Sequence, residues 1–96
     1  MNDKIEQIAT HYTFGQQRAI FVEECAEAIQ AVCKLERAKD GSLEAYAEKM
    51  NDLLSEVADV LIMAQQMRIF LGAERVDKEI ERKLDRQLKR IEEEQK

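Results

Sequence analysis

The 96-residue sequence has no proline, only three glycines and a single histidine. Without proline, and with 45% hydrophobic and 36% charged residues, the chain is expected to be all-helical. The glycines, Gly15, Gly41 and Gly72, are isolated, which excludes a glycine-rich phosphate loop. His11 alone supplies neither the Glu-x-x-His pairs of carboxylate di-iron bundles nor a Ser-His-Asp triad, and reads as a surface or packing residue. The two cysteines form no CxxC zinc pair. Cys25 and Cys33 fall in one expected helix, about 12 Å apart along its axis. They cannot bridge there, and read as reduced core residues.

Positive charge is not in excess either. A net charge of -5 gives no field to attract phosphate backbones, so no nucleic-acid partner is expected. No apolar run approaches membrane-spanning length, and MNDKIEQIAT lacks a basic region followed by an apolar block. The expectation is a cytoplasmic protein with no membrane partner. Its size allows one domain, residues 1–96, whose small core makes a homodimer or homotetramer plausible.

The chain divides by helical periodicity. Residues 3–12 form a short amphipathic helix with Ile5, Ile8 and Tyr12 as apolar positions and Asn2 able to cap it. Thr13 and Gln16 have capping-box spacing, so a second helix begins near Phe14 and runs to about Glu36. RAKDGS is a polar turn, and Ser42 can cap the next helical stretch. Asn51 and Asp52 mark a kink or short break, beyond which helix continues to Leu71, with Gly72 suited to the position past its end. A last helix covers about 74–93, with Val76, Ile80, Leu84, Leu88 and Ile91 as a narrow apolar stripe. The sum is a four- to five-helix antiparallel bundle. Leu54, Leu61, Ile62 and Ile69 lie off the main stripe of the third long stretch, so that helix is buried on more than one side, the extra partner being another subunit.

What is abundant is acid in the wrong place. In FVEECAEAIQ, Glu24 borders the sector occupied by Phe21, Cys25, Ala28, Val32 and Leu35; Glu27 follows one turn on; Glu23 points farther out. Gln17, two turns before Glu24, lies within about 20° of it. In LLSEVADVLIM, Glu56 sits inside the apolar stripe, with Asp59 about 60° away at its edge. A buried carboxylate must pair, bind metal or take up a proton. Two acids three apart on one helix, facing two on another, supply hard oxygen ligands suited to Mg²⁺ or Mn²⁺. The other possibility is pairing with Lys or Arg from a neighbouring helix. On the last helix, Lys83, Arg86 and Arg90, with Gln87, flank the apolar stripe; they could neutralise a polyphosphate, or form solvated surface with pairs such as Glu79 to Lys83.

Glu23-Glu24-Cys25-Ala26-Glu27 fits E-E-x-x-E and Glu56-Val57-Ala58-Asp59 fits E-x-x-D. With these two motifs on successive long helices, the chain resembles the MazG-like all-α nucleoside triphosphate pyrophosphohydrolases, over about Phe14 to Arg90, residues 14–90 forming the core and 1–13 an added N-terminal helix. Gln17, six before the first motif glutamate, also fits. Lys83, Gln87 and Arg90 match the spacing of a family Lys-x3-Asn-x2-Arg element, with Gln87 in place of the Asn. The resemblance implies a Mg²⁺-dependent hydrolase, Mn²⁺ being possible, that cleaves a (d)NTP between the α- and β-phosphates, as in nucleotide-pool housekeeping. It implies Glu24, Glu27, Glu56 and Asp59 as metal ligands, Glu23 and Glu24 as catalytic carboxylates, and Lys83, Arg90, Gln87, Gln17 and Arg86 toward the nucleotide. Two readings from other classes compete: a non-catalytic helical binding or assembly module that keeps the acidic metal cluster, and a structural bundle whose acids pair internally.

Overall fold

The computed structural model describes residues 3–96 and contains four helices and, among the described residues, no strand. They are α1 (Asp3–His11), α2 (Phe14–Ala38), α3 (Leu43–Leu71) and α4 (Ala73–Glu94). The Asn2 cap lies outside the described residues. No helix among them is long and apolar enough to cross a membrane.

Local chemistry sets the boundaries. Thr13 Oγ1 accepts from the Gln16 backbone N–H at 3.1 Å, and Gln16 Oε1 accepts from Thr13 N–H at 3.0 Å, a complete capping box that starts α2. Ser42 Oγ accepts from Ala45 N–H at 3.1 Å and starts α3. Gly72 ends α3 with φ 105° and ψ 105°, a conformation that side chains with a Cβ rarely adopt, and α4 begins at the next residue. The break expected at Asn51 and Asp52 is absent: α3 is continuous. Both residues are exposed, neither is a Pro or Gly, and Lys49 pairs with Asp52 at 3.7 Å across one turn, so the modest propensity cost is absorbed.

Helices α2 and α3 form an antiparallel pair in one register, each step along α2 matched by a step back along α3. The Phe14 and Phe70 rings lie 5.3 Å apart, Gln17 meets Gln66, and Glu24 and Glu27 fall level with Asp59 and Glu56. Helix α1 packs on α3 and buries Ala9. The buried apolar centre is small, Ala9, Ala31, Met63 and Met67.

Helix α4 does not fold back into a bundle. A radius of gyration of 17.1 Å exceeds the ~12.5 Å of a compact chain this long. The molecule measures 45 × 44 × 21 Å. Helix α3 alone accounts for one long dimension, at about 43 Å; the second requires α4 to project sideways. No α4 residue is buried, and Ile80, Leu84, Leu88 and Ile91 are exposed. Arg68 ties the start of α4 to α3 through a two-pronged pair with Asp77, at 2.7 and 2.5 Å. On the outer surfaces of α2 and α3, Val22, Ile29, Val32, Leu54, Val57 and Leu61 are likewise exposed. Val32 therefore leaves the sector expected to be buried, and Cys33 is exposed rather than core; Cys25 is half-buried, and both are free thiols. His11 is a surface residue, edge-on to Tyr12.

Candidate metal centre

Three of the acids converge. Glu24, Glu27 and Glu56 each present a carboxylate oxygen, all within 4.8 Å of one another. The three-residue spacing puts Glu24 and Glu27 one turn apart on α2, and the antiparallel register brings Glu56 of α3 level with them. Glu24 and Glu56 are half-buried, while Glu27 is exposed at the rim. Asp59, also half-buried, stands beside the trio without joining it, near enough for its charge to act on both Glu24 and Glu56. Glu23 is exposed, as its position on α2 requires.

The electrostatics are one-sided. Loss of water raises the Glu24 carboxyl above its ordinary 4.5, and the charges of Glu27, Asp59 and Glu56 raise it further, as does a side-chain hydrogen bond with Glu27. Glu56 is raised in the same way, first by burial, then by Glu27 and Asp59, the Glu27 hydrogen bond and Asp52. Every charge in these two sets is a carboxylate. One oxygen of each, Oε2 of Glu24 and Oε2 of Glu56, is removed from water and has no hydrogen-bond partner among the described residues. A donor set of carboxylate oxygens with two unfilled inner lone-pair positions suits a hard divalent cation, and a proton is the alternative.

The other expected site residues lie elsewhere. Gln17 is 3% exposed, and its Nε2 donates to Oε1 of Gln66, itself 1% exposed, at 2.6 Å. This bond is a buried tie between α2 and α3, about 10 Å along the helix from Glu24. Lys83, Arg86, Gln87 and Arg90 are all exposed on the projecting α4, and none of them lines the cavity that adjoins Glu27 and Glu56. Glu79 bonds to Arg82, which holds its carboxyl below the ordinary range, with Lys83 and Arg86 only neighbouring charges.

A cavity of about 230 Å³ adjoins the acids on the side toward the α2–α3 turn. Glu27 and Glu56 form one end of it, and Lys34, Lys49 and Asp52 also line it, Lys49 paired with Asp52 at 3.7 Å. Neither lysine stood out in the sequence. Lys34 lies seven residues from Glu27 and Lys49 seven from Glu56, outside the short motifs, and only the register brings the two level. Gln66 had a readable signal: ten residues after Glu56, it falls about 80° from it, inside the apolar sector.

No family model, curated protein or solved structure matches this chain.

Proposed function

We propose that the chain is a Mg²⁺-dependent nucleoside triphosphate pyrophosphohydrolase of the MazG-like kind, cleaving between the α- and β-phosphates to give a nucleoside monophosphate and pyrophosphate. The observation that carries this reading is the convergence of Glu24, Glu27 and Glu56, two of whose inner oxygens have no hydrogen-bond partner among the described residues. Glu24, Glu27 and Glu56 would hold the ion, directly or through water, with Asp59 adding its charge. Mg²⁺ or Mn²⁺ bound there would neutralise phosphoryl oxygens and stabilise the departing pyrophosphate. Glu23, exposed beside Glu24, accepts the proton of the attacking water as its oxygen bonds the α-phosphorus and the bond to the bridging oxygen breaks. The test is release of pyrophosphate across a panel of (d)NTPs. Activity is expected with Mg²⁺ or Mn²⁺ and lost in Glu56→Gln, whose helical signal stays intact; no release from any common nucleotide overturns the reading.

The same reading has the chain working as an oligomer. Its accessible surface of 7653 Å² exceeds the ~5,700 Å² of a compact monomer of its mass. The excess is about 2,000 Å² per chain, or about 4,000 Å² per pair, within the range of obligate homodimers. The exposed faces of α2 and α3 and the stripe of α4 are the surfaces a second copy covers. Lys83, Arg86, Gln87 and Arg90 are exposed on the projecting α4, so in such an assembly they would serve a second copy's site. Sedimentation of wild type and Leu84→Glu tests this: a dimer or larger is expected for the first and a smaller species for the second.

A further inference from the structure

We propose that the face of α3 turned away from α2 is a self-pairing surface, on which the α3 of a second copy packs antiparallel about a two-fold axis between Leu54 and Val57. This rests on the oligomeric reading above and names the contact and its direction; it is independent of what the acids do.

The spacing is that of a coiled-coil seam. Ala47, Met50, Leu54, Val57, Leu61 and Ala64 follow one another at alternate steps of three and four, with Leu43 four residues before the first. From Leu43 to Ala64 the run covers about 32 Å of helix. Leu54 lies about 160° round α3 from Glu56, which faces α2, so the seam and the acids occupy opposite sides of one helix. The chain leaves this side open: Met50, Leu54, Val57 and Leu61 are all exposed, Leu54 at 69%.

The flanks of the seam decide what covers it. Tyr46, Leu53 and Val60 border it on one side and Asn51, Ala58 and Gln65 on the other; none is charged, in a chain with 36% charged residues. A solvent-facing helix would carry Glu and Lys at such positions. The stripe of α4 does not match this surface. Lys83, Arg86 and Arg90 run along one edge of that stripe and Glu81, Asp85 and Glu92 along the other, and laying it on α3 would strip water from those charges without giving them partners. The face that matches is the same face of a second copy, which a two-fold axis uses twice. The area suffices as well: the chain exposes about 2,000 Å² more than a compact monomer of its mass, against about 800 Å² per partner in a standard interface.

The layers set the direction. Antiparallel, Leu54 meets the second copy's Val57, Met50 its Leu61 and Ala47 its Ala64. Glu44 comes level with the second copy's Arg68, whose pair with Asp77 uses Nε and Nη2 and leaves Nη1 for another carboxylate. Parallel pairing in register would set Glu44 beside Glu44 and Arg68 beside Arg68, and would align two helix dipoles. The antiparallel arrangement also brings the second copy's Gly72 level with the α2–α3 turn, so each α4 leaves at the turn end of the other hairpin.

The test is sedimentation equilibrium of wild type, Leu54→Glu, Leu54→Met and Leu84→Glu, with far-UV circular dichroism to confirm that each keeps its helices. Leu54 is exposed within one chain and Glu is a good helix former, so Leu54→Glu folds. It places a charge twice beside the axis and is expected to weaken self-association at least ~100-fold, while Leu54→Met stays near wild type. For direction, Glu44→Cys in a Cys25→Ser/Cys33→Ser background carries a spin label about 17 Å along the helix from the axis. Two labels are then expected roughly 35 Å apart in an antiparallel pair, against roughly 10–20 Å in a parallel one. A monomeric wild type overturns the oligomeric reading and this contact with it. An assembled wild type that Leu54→Glu leaves intact, or that only Leu84→Glu takes apart, keeps the assembly and overturns the seam. Labels within ~20 Å of each other overturn the antiparallel packing.

Discussion

The buried amide pair permits a sharp test of how α2 and α3 are held. Gln17 Nε2 donates to Gln66 Oε1, and Gln66 Nε2 reaches Met63 Sδ at 3.4 Å, while Gln17 Oε1 has no partner among the described residues. Wild type therefore carries one orphaned amide oxygen in this pair. Gln66→Leu keeps a side chain of similar size, so no large cavity opens, but it leaves both polar ends of Gln17 without partners. Gln17→Leu removes the oxygen that was already orphaned and strands only Gln66 Oε1, so the number of orphans does not change. The double leucine variant has none.

Each newly stranded buried group costs about 1–3 kcal/mol, whereas removing both partners of a bond is close to neutral or stabilising. The expected order of stability is then double variant at or above wild type, Gln17→Leu slightly below wild type, and Gln66→Leu lowest, by about 2 kcal/mol. For a chain of this length that is on the order of 10 °C in Tm. Urea melts followed by far-UV circular dichroism, at one fixed chain concentration, give the comparison. If Gln17→Leu costs as much as Gln66→Leu, Gln17 Oε1 has a partner and the accounting fails. If the double variant costs the sum of the two, the pair is not coupled. The same protein tests a functional question. A folded, stable double variant that hydrolyses nucleotide like wild type restricts Gln17 to packing, and one that does not returns it to the substrate.

Three further outcomes are expected. Glu24 and Glu56 have folded pKa values raised above 4.5, so the native state binds more protons than the unfolded chain just above that pH. Without divalent cations, Tm should fall as pH rises from about 4.5 through the raised values, and Glu56→Gln should flatten the slope; a Tm that climbs over this window contradicts the assignment. Asp77 and Glu79, whose values are lowered, act in the opposite sense and below that window, where acid protonates them and their stabilisation is lost. Gly72→Ala forces a Cβ into φ 105°, 3.4 Å from Arg75 Cδ, and should cost about 1–2 kcal/mol, read as a lower Tm. Thr13→Ala removes the side-chain half of the α2 capping box and should cost about 1 kcal/mol in urea melts.

Much of the fold was legible because local signals and periodicity agreed. Thr13 with Gln16, Ser42 and Gly72 marked helix ends through chemistry that acts within three or four residues, and those ends stand where the spacing put them. The break at Asn51 and Asp52 failed for the complementary reason: a weak local preference yielded to a long helix with a packed face on α2. The acid group was readable because a carboxylate inside an apolar stripe is costly wherever its partner lies. Two such helices joined by a short turn have few ways to meet. What the sequence withheld depends on direction rather than spacing. The stripe from Val76 to Ile91 says that α4 must be covered, and it says nothing about whether the cover is its own chain. Gly72, at φ 105°, and the Arg68–Asp77 pair set the angle at which α4 leaves α3. That angle takes Lys83 and Arg90 away from the acids that the linear order had placed within reach. Lys34 and Lys49 gained their meaning in the opposite way. They lie outside every acid motif, and become neighbours of Glu27 and Glu56 only through the register that also pairs Gln17 with Gln66. The register between α2 and α3 therefore sets which cations stand beside the acids, whereas the junction at Gly72 sets where the α4 cations go.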